Sequence, residues 1–490
     1  MSDDEGMQFS RRSVLAGTAA LGLAGTSTAV AKEFGKGEFA DHDDSMVDLG
    51  TDAWPQTGFD NGRTYFYGEG SGPTGELTGD WFFEGNADLA EYPLVAYDTV
   101  YTFTGYPEAG TEKLVALDAA DGSKKWSRNL TTDDSYGGYG TDQTVIADGE
   151  VYLTRNGHTE VYTAVDGTKR WEVEHGGGYP MVTDEMLVVE GNNVDDGAVT
   201  TAKITGISRT DGSIQWEYDF DQRGDALPAA ASGSVYAAGS NPGSEENSKV
   251  VSLDAATGEE EWTTEVGPNG YTVATNTVIF VETDAAVNAL DAETGEKMWS
   301  KSKTEFSDDQ DPSLTFQAVG ETTAYVTVDS MLYALDARSG EQQWSAEMHP
   351  NAWGVVVVGD VLYYAVDKKD DSGSGDPDAY DEIHLRNPNT GELIAKRTVP
   401  DVTGDRPDGD SQLQGYLAPV DGTIYTVSEN ALVAFREGEN DAPEGGSDDG
   451  TDDDSDGNDD GSSGGDGSGS DDSGGSDGDS DGSDDSNDDC

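Results

Sequence analysis

The chain has almost no cysteine: the single one, Cys490, is also the last of 490 residues, so no disulfide can hold the fold together. Basic residues are scarce as well. There are 27 lysines and arginines against 99 aspartates and glutamates, a formal net charge of −72, which excludes nonspecific nucleic-acid binding because that works by neutralising phosphates with cations. An anionic membrane surface would repel the chain for the same reason. The five histidines, His42, His158, His175, His349 and His384, show none of the paired spacing of a zinc site. Each reads as a loop residue, and no metal is expected. No Ser-His-Asp order, phosphate loop or nucleophile elbow stands out, since the glycines belong to turns. Apart from an apolar run at 14–30, no segment could cross a bilayer.

What is abundant is acid, and it is not confined to one end. Asp441 to Cys490 holds 20 acidic and no basic residues, leaving 79 acidic against 27 basic, a charge of −52, for the rest. Self-repulsion at that density destabilises a compact state in dilute buffer, whereas salt at 1 M cuts the Debye length to about 3 Å. The surface reads as one built for concentrated salt. Residues 438–490 are mostly Asp, Ser and Gly with no aromatic, so they cannot bury enough surface to fold and read as a disordered acidic tail. Within the tail, Asp452 to Gly457 and Asp477 to Gly482 open like calcium loops. Neither has the Glu at position 12 that would complete one.

Self-similarity organises the middle of the chain. The pattern small-x-Asp-x-x-x-Gly-x-x-x-Trp is fullest at Ala116-Leu117-Asp118 with Gly122 and Trp126. It recurs at Asp254, Gly258 and Trp262; at Asp291, Gly295 and Trp299; and at Asp336, Gly340 and Trp344. Weaker copies end at Trp171 and Trp216, and a seventh, Leu385-Arg386-Asn387 to Gly391, puts Ala395 where the Trp should be. From Trp81 onward the spacings are 45, 45, 45, 46, 37, 45 and 51 residues, the length of a four-stranded propeller blade. Eight hairpin signals accompany the repeats, among them Asp98-Thr99-Val100-Tyr101 and Gly422-Thr423-Ile424-Tyr425. The Asp-x-x-x-Gly piece is a turn between third and fourth strands, with Asp bonding backbone amides and Gly taking positive φ. The Trp that follows can lie against the next blade and replace disulfides as the glue of the ring.

The ends of the array suggest closure. The hairpin from Ile424 to Phe435 has no outer strand of its own, and Trp81 sits in an outer strand with no hairpin before it. Pairing the two removes both edges. The expectation is an all-β, eight-bladed propeller at 80–437 preceded by a leader at 32–79, with seven blades the alternative if the Asn387 unit is an insertion.

These repeats resemble the PQQ-like (quinoprotein dehydrogenase-like) family over about Trp54 to Glu437, and Trp54-Pro55-Gln56-Thr57-Gly58-Phe59-Asp60-Asn61-Gly62-Arg63 looks like the lead-in such proteins place before the first blade. The resemblance covers quinoprotein dehydrogenases and also silent propellers similar to the scaffold subunit of the bacterial outer-membrane assembly machine. It implies pyrroloquinoline quinone with calcium only under the dehydrogenase reading. The ring lacks the adjacent cysteines many quinoprotein alcohol dehydrogenases carry, so the scaffold branch is favoured, a monomer with an envelope protein or glycan as partner and a halophilic archaeon as source.

Ser10-Arg11-Arg12-Ser13-Val14-Leu15 followed by the apolar run reads as a twin-arginine export signal cleaved after Ala31, with an uncleaved anchor as the alternative. The protein is therefore expected outside the cell or at its surface. Asn129 heads the one glycosylation sequon considered exposed. Function is expected on the loops that lead into each innermost strand, where Tyr136, Tyr139, His175, Tyr179, Tyr271, His349, Trp353 and Tyr416 stand beside glycines.

Overall fold

The computed structural model describes residues 53–447 except 69, 86–91, 106–110, 131–142, 156, 196–197, 221–225, 240–248, 269, 308, 310, 321, 369–380, 401–412, 414–415, 429–430 and 439–443. The signal, Ala31 and Cys490 lie outside the described residues. So do Tyr136 and Tyr139. Among the described residues no helix is long and apolar enough to cross a membrane.

Eight sheets follow one another along the chain, each with four antiparallel strands that pair in chain order except for the outer strand of the last. Blades 1 to 7 occupy 94–129, 144–173, 181–219, 226–265, 271–302, 314–347 and 352–398. Blade 8 takes three strands from 418–437 and its outer strand, Leu77–Glu84, from the other end of the ring. The Asn387 unit is a full blade, so the count is eight. Blades 7 and 8 each gain a fifth strand: Phe66–Tyr67 runs parallel to the inner edge of blade 7, and Glu444–Ser447 runs parallel to Leu77–Glu84. That last strand lies within residues 438–490, where an outer strand left with an open edge offers unpaired amides that a short following segment can fill.

The strand pattern follows from stacking sheet on sheet. Every residue of Thr99–Thr104, the second strand of blade 1, is buried, because both faces meet a neighbouring blade. Outer strands alternate, as in Glu260–Glu265, where one face meets solvent. Seven tryptophans then lock seven of the eight seams between blades. The indole N–H of Trp126 donates to the Ala164 carbonyl at 3.0 Å, Trp171 to Arg209 at 2.9 Å, Trp216 to Ala255 at 3.2 Å and Trp262 to Ala292 at 3.1 Å. Trp299 reaches Ala337 and Trp344 reaches Pro388, both at 3.0 Å. Trp81 closes the circle on Ala119 at 3.1 Å.

Each accepting carbonyl belongs to the residue after the one that opens the next turn, which is Asp118, Asp254, Asp291 or Asp336 in four cases and Thr163, Ser208 or Asn387 in the other three. Oδ1 of Asp336, for instance, accepts from the amides of Arg338 and Ser339 at 3.1 and 2.8 Å. The turn glycine is required twice over. At Gly122, φ is +70°, and a Cβ there would stand 2.5 Å from the Trp81 ring. The hairpin tyrosines converge on the same acceptors: Tyr101 donates to Ala164 at 3.2 Å, and Tyr325 to Pro388 at 3.0 Å.

Two histidines depart from the loop assignment. His158 opens the third strand of blade 2, and His384 lies buried within the third strand of blade 7. Their strands alternate between two covered faces, and imidazole with a hydrogen-bond partner is tolerated there: His384 meets Tyr364 at 3.2 Å and Glu382 at 2.7 Å. Asn129 is the exposed last residue of an outer strand rather than a loop residue.

Candidate functional site

The leader does not merely precede the ring. The first strand of each blade lies at the inner edge of its sheet and faces the central channel, and residues 54–71 bond in order to the first strands of blades 1 to 7 and to the first hairpin turn of blade 8. Trp54 exchanges two backbone bonds with Val95 of blade 1, and the Pro55 carbonyl accepts from Ile146 of blade 2 at 3.0 Å. The Asn61 side chain donates to Val182 of blade 3 at 2.6 Å. The carbonyls of Asn61, Gly62, Thr64, Tyr65 and Ser71 then accept from Ala230, Ala274, Val319, Val357 and Gly422, of blades 4 to 8, at 2.7 to 2.9 Å. The chain thus makes one circuit of the channel wall. A Cβ at Gly62 would stand 2.1 Å from the Ala274 carbonyl, so only glycine permits the contact with blade 5.

Asp60 pins the tight part of this circuit by accepting from the amide and the hydroxyl of Thr64, both at 2.9 Å. Desolvation raises its carboxyl to about 6 despite those bonds. Between the leader and the ends of the innermost strands lies a cavity of about 140 Å³, lined by Gln56, Thr57, Arg63, Tyr65, Tyr92, Thr144, Tyr179, Pro180, Met181 and Tyr271. Tyr179 and Tyr271 stand where the chain enters blades 3 and 5, so the cavity opens on the face formed by the loops into the innermost strands. Arg63 is 6% exposed, and its guanidinium lies over the Tyr179 ring, 4.3 Å from the centroid. Burial pushes the Tyr65 hydroxyl well above the ordinary tyrosine range, and the neighbouring Tyr271 pushes it further. Tyr65 stays protonated.

Beside the cavity runs an aromatic row. Tyr92 and Tyr416 stack at 4.2 Å with 13° between planes, and Trp353 meets Tyr416 edge-on at 5.3 Å. The row joins blades 1, 8 and 7. Of the residues singled out from sequence, Tyr179 and Tyr271 line the cavity, while Trp353 and Tyr416 form the row. His175 and His349 do neither. The His175 ring contacts Thr205 at 3.0 Å and burial holds its pKa below the usual value, while His349 Nδ1 accepts from the Asn351 amide at 3.2 Å. Sequence reading missed Arg63, Tyr65 and Tyr92. The Gly58 and Gly62 punctuation before Arg63 was the available signal.

One other cluster has metal-ligand chemistry: His158, Glu160 and Glu172 bring ligand atoms within 4.8 Å of one another. The Lys169 ammonium sits among them, bonded to Glu160 and, at 2.9 Å, to Glu172. A cation's place is thus taken by the protein's own.

A family model described as outer membrane protein assembly factor BamB matches the chain in four overlapping stretches, 71–177, 110–268, 200–347 and 246–449. No curated protein matches. Among solved structures, a quinohemoprotein alcohol dehydrogenase from Comamonas testosteroni is similar with a TM-score of 0.56 and 13% identity over 80% of this chain and 82% of that one. A europium-containing methanol dehydrogenase has the same score and identity over 80% and 99%. The computationally designed Ika8 protein scores 0.54 at 12% identity over 74% and 99%. At such identities these likenesses show the fold alone.

Proposed function

Since the chain belongs to the family of the outer membrane protein assembly factor BamB, we propose that it is a protein-binding scaffold module of the cell envelope, working through the mouth of its central channel. The observation that carries this reading is the leader's circuit past all eight blades, bonded to the innermost strands of blades 1 to 7 and to the hairpin turn of blade 8. It fills the channel wall with the chain's own backbone, where a large cofactor would otherwise have to sit, and leaves a rigid aromatic row at the rim. Aromatics of this kind give contact area at little cost in side-chain entropy. The family's description names an assembly factor, which favours a protein partner over the glycan also considered. The export signal at Ser10 to Leu15 supports action outside the cytoplasm.

The dehydrogenase alternative would need pyrroloquinoline quinone with calcium, and the lining suits neither. It offers amide and hydroxyl oxygens but no carboxylate, whereas calcium takes about six to eight oxygens, usually including carboxylates. Its 140 Å³ also falls short of the roughly 300 Å³ at which pockets for larger organic ligands begin. The test compares the wild type with Tyr92→Ala/Trp353→Ala/Tyr416→Ala as baits for envelope extract. The triple variant should lose the partner while its melting curve is kept. Capture that survives it but disappears on substituting the exposed Asp121 and Asp211 of the opposite turns would place the working face there instead. Dye reduction by the quinone-loaded protein with an alcohol or sugar would restore the enzyme reading.

A further inference from the structure

We infer that the cavity at the channel mouth is a binding site for a small carboxylate, held edge-on by Arg63. This site adjoins the protein-docking rim, sharing Tyr92 with it, but its test does not depend on a protein partner. Arg63 is almost wholly buried, and its Nη1 has no hydrogen-bond partner. No carboxylate pairs with its guanidinium among the described residues, although the chain carries 99 acidic side chains and only 27 lysines and arginines. A buried cation without a counter-charge is strongly destabilising. In a molecule so rich in acid, a permanent partner for it would have been easy to supply from within. Instead the cation stands in the cavity lining without one.

Geometry narrows the ligand. One face of the guanidinium is covered by the Tyr179 ring, so an acceptor must approach in the plane, where the N–H groups point. Carboxylates are planar and meet arginine in this way, whereas a spherical or tetrahedral anion gains less from the fork. The hydroxyls of Tyr65 and Tyr271 belong to the same lining and supply neutral donors for the remaining lone pairs. The cavity volume of about 140 Å³ admits a few waters or a compact organic acid, not a cofactor. The leader's backbone adds support. Phe59, Arg63 and Tyr65 all have positive φ, at 75°, 57° and 49°, a conformation that is costly for residues other than glycine. That cost places Arg63 against Tyr179.

The test uses the full chain at fixed, high ionic strength, with acetate, benzoate, benzamide and sulfate as probes. Benzoate and acetate should raise the melting temperature progressively with concentration and show saturable heats in calorimetry. Benzamide, the uncharged analogue of benzoate, should do neither, and sulfate should be at least about tenfold weaker. Arg63→Gln should remove the carboxylate response, and Arg63→Lys should keep less than about a tenth of the affinity because it lacks the fork. Should the Arg63 variants fail to fold, Tyr271→Phe, which removes only a hydroxyl, should weaken benzoate by about threefold to tenfold. Equal responses to benzoate and benzamide, or to benzoate and sulfate, would overturn the proposal. So would an undiminished response in Arg63→Gln, or an unchanged one in Tyr271→Phe where it alone can be measured.

Discussion

Trp81 donates its indole N–H to the carbonyl of Ala119, 3.1 Å away, across the seam where the two ends of the ring meet. Tyr425 and Arg436 donate to the same oxygen at 3.2 and 3.1 Å, and Arg436 also pairs with Asp80 at 2.9 Å. Three donors from blade 8 thus converge on one acceptor of blade 1. Trp81→Ala removes the largest of them together with a fully buried ring, so it should cost about 3–5 kcal/mol. Tyr425→Phe should cost about 1 kcal/mol. Denaturant unfolding of both variants checks the order; a Trp81→Ala protein as stable as the wild type would mean that the seam does not close the ring.

The blade 7 repeat has Ala395 in place of tryptophan, and the structure gives the reason. Each docking Trp needs the Asp-x-x-x-Gly turn of the following blade, but in blade 8 the third and outer strands come from opposite ends of the ring. There is no turn to dock on. Arg397 bridges the gap by donating to the Thr74 carbonyl from Nε at 3.1 Å and Nη2 at 2.6 Å, and by pairing with Glu76 at 3.1 Å. We expect Arg397→Ala to lower stability by about 1–3 kcal/mol, and Ala395→Trp to bring no gain. A melting temperature raised by Ala395→Trp would contradict this account.

Glu282 supplies a pH dependence. Burial raises its carboxyl to about 7, against the Phe316 amide that donates to it and with a further push from the Asp284 charge. Between the ordinary glutamate value of 4.5 and about 7 the folded state holds a proton that the unfolded chain has lost. Stability from this group is therefore fully present below that window and is lost as pH rises through it. Asp60, raised to about 6, acts in the same direction. Glu282→Gln should flatten the fall in melting temperature between pH 5 and 7 and melt higher than the wild type at pH 8. Parallel curves for the two proteins would refute the assignment.

With −72 on the chain, lowering the salt at constant pH should lower the melting temperature steadily, because repulsion re-emerges as the Debye length grows from about 3 Å at 1 M to about 10 Å at 0.1 M. A chelator at constant salt should change little, since Lys169 already neutralises the His158, Glu160 and Glu172 cluster. Circular dichroism across both titrations checks the pair of outcomes, and an unfolding transition caused by the chelator alone would point to a structural metal.

The sequence by itself determined the ring. Its 45-residue period, its Asp-x-x-x-Gly turns and its tryptophans encode local contacts between one blade and the next, and such contacts repeat in the chain as they repeat in space. Even closure was legible, because an unpaired Trp81 strand and an unfinished last hairpin can satisfy only each other. What tertiary structure alone decided was the inside of the ring. The leader's path along the channel depends on contacts to eight blades made by seven unlike residues at uneven spacing, Asn61 serving two blades, so no period announces it. Arg63 looked like part of a lead-in, and only the closed ring buries it, covers one face with Tyr179 and leaves Nη1 without a partner. Tyr92, Tyr416 and Trp353 are likewise hundreds of residues apart in part, yet adjacent at the rim because blades 1, 8 and 7 are neighbours once the circle is complete. A repeat specifies how neighbours pack; the centre of a ring belongs to all the repeats at once, and its chemistry exists only after closure.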